Sequence, residues 1–208
     1  MKFLYVIKFP GLLGKLFPSL ITRIPVKQKS VFLTFDDGPI PEVTPLILDI
    51  LAEYGAKSTF FCLGKNVEKY PHIYESIKNA GHSVGNHSFD HKNGWRTKNE
   101  VYYQNIERAG SVIDSGLFRP PYGKIKPSQI KYLKSKYKIV MWDVLSGDFD
   151  PETDREKCVN NVVRNVKPGS VIVFHDSLKA KEKVLYSLPL ILDELKKKEY
   201  KFEPIRYL

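Results

Sequence analysis

Short apolar runs alternate with helix-period segments along most of this chain, and that alternation restricts its fold more than any other feature. Residues 31–35 (Val-Phe-Leu-Thr-Phe) read as a buried strand. Residues 41–54 follow with Leu46, Ile47, Ile50 and Leu51 at helical spacing, and Gly55 stands where a helix end favours glycine. The pattern then predicts strands at 58–63, 83–85, 117–119, 138–142, 170–174 and 200–205. It predicts helices at 71–80, 98–113, 127–136, 155–166 and 181–197. Such alternation is the mark of the α/β class, with parallel strands joined by helical crossovers. With 208 residues, one domain around one core is expected. Residues able to do chemistry fall at the ends of several strands: Asp36, His87, Arg119, Asp148 and His175. A barrel gathers strand ends at one mouth, whereas an open sheet spreads them along a crevice. An irregular barrel is therefore expected.

The N-terminus stands apart. Residues 1–21 are largely apolar, but Lys8 and Lys15 interrupt them and Pro10 and Pro18 break any continuous helix. No apolar stretch approaches the ~20 residues that span a bilayer. Nor is there a clean signal-peptide core with a small-residue cleavage site. The expectation is a segment, 1–30, that packs on the domain, with membrane-surface contact through residues 1–24 as the alternative. The main domain is then 31–208; with no clean signal peptide, the cytoplasm or a membrane surface is the expected place, and the compartment itself is left open. Cys62 and Cys158 read as two buried thiols. The net charge of +10 raises the question of nucleic acid. The lysines coat helix faces, as at 196–198, and no basic stripe is interleaved with aromatics, so no nucleic acid is expected. A positive field also suits an acidic glycan or an anionic membrane.

Asp36 and Asp37 close the first strand and are followed by Gly38-Pro39. Adjacent strand residues face opposite ways, but a turn at Gly38-Pro39 lets both carboxylates reach one pocket. A solvated turn is the plainer reading. His87 and His91 are four apart, so on a helical turn both imidazoles could meet one ion. Arg119 ends a short strand and could brace a carboxylate through a bidentate pair. Pro120-Pro121 stiffens the next turn and aims the Tyr122 backbone N–H. His175 ends the β-branched run 171–174, as a core histidine or as a general acid. Asp143 and Asp148 are candidates to orient it.

In order and spacing, Thr34-Phe35-Asp36-Asp37-Gly38, His87-Ser88-Phe89-Asp90-His91 and Arg119-Pro120-Pro121-Tyr122 resemble the polysaccharide deacetylase family (the NodB homology domain, carbohydrate esterase family 4). The likeness runs from about residue 31 to about 205. It implies a deformed (β/α) barrel of about seven parallel strands that removes acetyl groups from sugars with a divalent metal. Zinc is the first choice, with cobalt, manganese or nickel as alternatives. By the same resemblance, Asp37, His87 and His91 would hold the metal and Asp36 would be the base, held by Arg119. His175 would be the acid, oriented by Asp148. Tyr122, Pro120, Phe149 and Val173 would contact substrate, Tyr122 as an oxyanion donor and Val173 beside the acetyl methyl. Phe149 stands where the family usually has Trp, and Leu145 where many members have an acid. The implied partner is an acetylated glycan, an N-acetylhexosamine polymer of chitin or peptidoglycan type. A cell-wall substrate would place the protein in the cell envelope. An O-acetyl esterase acting on a glycan such as xylan is the alternative.

Overall fold

The computed structural model describes residues 7–8 and 17–206. Its strands are β1 (Leu20–Ile21), β2 (Ser30–Asp36), β3 (Thr59–Cys62), β4 (Ser83–Asn86), β5 (Leu117–Phe118), β6 (Lys138–Val140), β7 (Val144–Leu145), β8 (Val171–His175) and β9 (Lys201–Phe202). The helices are α1 (Thr44–Glu53), α2 (Gly64–Lys69), α3 (Pro71–Asn79), α4 (Asn99–Gly110), α5 (Pro127–Leu133), α6 (Arg155–Val163) and α7 (Lys181–Lys197). The sheet order is β1-β6-β5-β4-β3-β2-β8-β7, all parallel, and β9 pairs with the start of β2. Residues 141–143 carry the chain from β6, next to β1 at one end of this order, to β7 at the other. After β1, the Ile24 N–H donates to Gly169 O at 2.9 Å, and Arg23 bridges Ser170 at the entrance of β8. These links close the sheet into the deformed (β/α) barrel.

Side-chain alternation makes two layers of core. Val31, Leu33, Phe35, Phe60, Ile172 and Phe174 point outward and pack under the helices with Ile47, Leu51 and Leu188. Phe32, Phe61, Leu117, Val140 and Val171 point inward and fill the barrel. Each buried Leu, Ile, Val or Phe contributes about 1.5–3 kcal/mol of transfer free energy. Because β2, β3 and β8 carry apolar residues on both faces, they read as continuous apolar runs. One inward position is decided by space. A Cβ on Gly85 would lie 2.5 Å from the Phe61 ring.

Several elements differ from expectation. β1 and β7, each 2 residues long, are too short to show any period. α2 is likewise one short turn without a periodic stripe, and the final strand shrinks to β9. The expected interfacial segment falls mostly on residues 1–6 and 9–16, which lie outside the described residues. Of its remainder, the Ile7 carbonyl accepts from Leu145 N at 2.8 Å, and Lys8 bridges Val144. Among the described residues no helix is long and apolar enough to cross a membrane.

Candidate active site

Strand register assembles the site. Asp36 on β2 is the direct partner of His175 on β8, and in-register residues of parallel strands face the same side. Both therefore enter the barrel mouth. Asp36 is buried, and its Oδ1 accepts from Arg119 Nη1 at 2.7 Å. The guanidinium is buried too. Nη1 also donates to Thr34 Oγ1 at 2.7 Å, Nε to Val140 O at 3.2 Å and Nη2 to Met141 O at 2.8 Å. The Phe61 ring lies 4.1 Å beneath the guanidinium carbon. The brace on Asp36 is thus a single bond. The expected bidentate fork is spent on backbone carbonyls of the opposite wall.

Asp37 turns into the same pocket for a reason of its own. Its φ is +86°, so the alternation breaks at Asp37 itself, before Gly38-Pro39. Its Oδ1 lies 3.7 Å from His87 Nε2 and 3.2 Å from His91 Nε2. The histidines do not share a helical turn. The segment is a loop in which Ser88 and His91 have φ of +65° and +61°. His87 Nδ1 donates to Arg119 O at 2.8 Å, which leaves the Nε2 lone pair facing Asp37. Burial pulls His87 well below, and His91 below, the ordinary histidine range. Both imidazoles are then neutral at pH 7, as metal ligation requires.

One ligand atom from each of Asp37, His87 and His91 lies within 4.8 Å of the others. Asp37 Oδ1 is buried and accepts no hydrogen bond. A buried carboxylate oxygen without a donor is costly unless a cation meets it. One carboxylate with two neutral imidazoles, one of them oriented by a carbonyl, is a donor set that fits a divalent ion such as zinc.

Asp148 is fully buried and gives both oxygens to His175, Oδ1 to Nδ1 at 2.8 Å and Oδ2 to the backbone N–H at 2.7 Å. Burial disfavours the imidazolium, but Asp148, with Asp37 and Asp36, outweighs it and pushes the pKa up to about 9. At neutral pH His175 is therefore a cation, with a proton to give. Asp143 does not take part. It accepts from Ser170 Oγ at 2.5 Å and faces Arg23 at 3.6 Å.

The remaining expected residues form the rim and floor. Tyr122 sits in a 3-10 turn at φ +59°, 59 % exposed, with its ring 4.4 Å from that of His91. Pro120 is buried ahead of that turn. The Phe149 ring meets His175 edge-on at 5.0 Å. Val173 is buried two residues before His175, and its register partner is Leu145.

Two residues that carry the geometry have no sequence signature. Asp176 Oδ1 accepts from Gly38 N at 2.9 Å, and its Oδ2 accepts from Thr44 Oγ1 at 2.6 Å. Burial pushes its pKa up to about 8 against those two donors. A Cβ on Gly38 would fall 1.8 Å from Asp176 Oδ2, so the turn after Asp37 closes directly on this carboxyl. Asn66 Nδ2 holds the Asp37 carbonyl at 2.7 Å. Asp176 follows His175 directly in the chain, the one signal that could have drawn attention to it, and Asn66 carries no such signal.

Comparison with known proteins gives concordant results. The family model described as polysaccharide deacetylase matches residues 23–139. A peptidoglycan-N-acetylglucosamine deacetylase of Bacillus cereus is 33 % identical over 89 % of this chain and 91 % of its own length. A chitooligosaccharide deacetylase of Azorhizobium caulinodans is 36 % identical over 80 % of this chain and 82 % of its own. Other curated relatives are longer, and the chain spans 58 % of one of them. Among solved structures, a peptidoglycan N-acetylglucosamine deacetylase in complex with 4-naphthalen-1-yl-N-oxidanyl-benzamide superposes with a TM-score of 0.87 at 33 % identity, covering 95 % of each chain.

Proposed function

This chain belongs to the polysaccharide deacetylase family, and from that premise we propose that it is a metal-dependent hydrolase that removes N-acetyl groups from N-acetylhexosamine units of a peptidoglycan- or chitin-like glycan. The observation that carries the reading is one convergence. The Asp37–His87–His91 cluster lies beside an arginine-held carboxylate and an aspartate-held histidine. Names of relatives support the same substrate class.

An amide needs help at three points: activation of water, stabilisation of the oxyanion, and protonation of a poor leaving group. A divalent ion held by Asp37, His87 and His91 would polarise the acetyl carbonyl and acidify the attacking water. Asp36 accepts the proton of that water. Arg119 holds Asp36 from behind at 2.7 Å through Oδ1, which leaves Oδ2 toward the pocket, 4.0 Å from His87 Nε2. The Tyr122 N–H is the protein's donor to the oxyanion, and loss of one such donor costs about 3 kcal/mol. His175 enters as imidazolium, with Nδ1 fixed by Asp148 and Nε2 free to protonate the departing nitrogen. Val173, Leu145 and Phe149 supply apolar surface for the acetyl methyl and the sugar face.

Acetate release from acetylated oligosaccharides, by metal-stripped protein with and without added zinc, tests the reading. Release that requires zinc supports it. No release from any N-acetylated glycan with zinc bound overturns it. Comparing His175→Ala on N-acetyl and O-acetyl substrates separates amidase from esterase, because an ester leaving group needs the acid less.

A further inference from the structure

Resting on the deacetylase reading, we propose that Trp95, with Lys124, forms a second sugar-binding platform beside the candidate metal centre, one that takes a carboxylate-bearing unit farther along the glycan. Trp95 is 58 % exposed, although large aromatics are usually buried in a packing role. It is nevertheless held firmly. Its Nε1 donates to Ile125 O at 3.0 Å and its backbone N–H to Asn93 Oδ1 at 3.0 Å. Neighbouring bonds pin the loop: Gln129 Nε2 to Gly94 O at 3.0 Å and Lys126 Nζ to Thr97 O at 2.8 Å. A Cβ on Gly94 would lie 2.3 Å from Lys124 O, so the two segments touch at the backbone. An exposed indole on a pinned loop loses little entropy when a ligand stacks on it.

Lys124 Nζ lies over the indole, 4.1 Å from its centroid, a cation–π contact. Among the described residues Lys124 has no carboxylate within ion-pair distance. Of the nearest carboxylates in sequence, Asp90 is paired with Lys92 at 3.2 Å and Glu100 lies in the first turn of α4. Aromatic surface suits a sugar face, and a lysine with no carboxylate partner suits a carboxylate on the ligand. The platform joins the site through both segments. Trp95 follows His91 by four residues, an upper limit of about 14 Å along the chain. Lys124 follows Tyr122 by two residues, and the Tyr122 ring lies against His91.

The test uses the zinc-loaded protein with three substrates: a long muramic-acid-containing strand with free carboxylates, a neutral chitohexaose and a chitobiose. Trp95→Ala is expected to raise KM on the long carboxylated strand about tenfold, the loss of one aromatic anchor, with kcat and chitobiose turnover unchanged. Trp95→Tyr should retain most of the affinity. Lys124→Gln should raise KM on the carboxylated strand and not on chitohexaose. Equal KM changes on chitobiose and on the long strand, or a fall in kcat with a lower Tm, would make Trp95 a packing residue and overturn the platform. Binding is also read without turnover. The chain has 2 tryptophans, so quenching by the carboxylated strand that disappears in Trp95→Ala reports the platform directly. Absent quenching sinks it even if acetate is released. Quenching without acetate release would uphold it and remove the reaction proposed above.

Discussion

In the proposed reaction, neighbouring carboxylates at the barrel mouth have opposite duties, and single substitutions separate them. Asp37→Ala is expected to abolish zinc binding and activity together, as read by equilibrium dialysis and acetate release. Asp36→Asn keeps an acceptor for Arg119 but cannot take a proton. It should retain zinc and lose about 10²–10⁴-fold in kcat. An active Asp36→Asn protein would show that another group is the base. His175 gives a pH signature. Its pKa in the metal-free protein is raised to about 9, so its bond to Asp148 stabilises the fold fully below the ordinary value of 6.5. That contribution fades as pH rises through about 9. NMR titration of metal-free protein should find that midpoint, and zinc should lower it by like-charge repulsion. The rate should fall on the alkaline side, and His175→Ala should lose that limb. Asp176 acts through the Asp37 turn. Asp176→Asn should weaken zinc binding about 10–100-fold, the usual effect of a disturbed outer shell. Unchanged zinc affinity would reduce it to a core residue.

Strands and helices were legible where the chain repeats a period or punctuates it with glycine. β2 and β8 announce themselves as β-branched and aromatic runs, and Gly55 and Gly81 stop their helices at φ of +61° and +79°. Strands of 2 residues such as β1 and β7 carry no period, so their pairing is decided only by closure of the barrel. The same limit applies at the site. That Asp36, His87, Arg119 and His175 meet could be read from strand ends. That Asp37 and His91 adopt positive φ could not, because neither is glycine and only tertiary contacts hold them there. Two changes test elements directly. Gly169 has φ +83°, and a Cβ there would lie 2.1 Å from Ile24 O, where the N-terminal segment meets β8. Gly169→Ala should cost at least about 1–2 kcal/mol in urea unfolding, with kcat of the folded fraction unchanged. Asp154 caps α6 by accepting from Lys157 N at 2.6 Å. Its replacement by Ala should cost about 1 kcal/mol.

The candidate metal pocket and the barrel depend on one another across the whole molecule. Its three proposed ligands, from two separate loops, converge only in the folded state, so zinc at 100 times its Kd should add about 2.7 kcal/mol of stability. For a chain of this size that raises Tm by about 5–10 °C. Scanning calorimetry should find the rise in the native sequence and none in Asp37→Ala. Arg119 makes the dependence deeper. From the end of β5 it reaches Val140 O and Met141 O on one wall and Thr34 and Asp36 on the other. A lineage drifting away from catalysis could therefore discard Asp37 or His91, at the rim, and still inherit the shape. It could not discard Arg119 so freely, because the guanidinium that holds Asp36 is also the tie-rod between opposite walls. Descendants that have forgotten the reaction should keep that arginine long after the rim has changed.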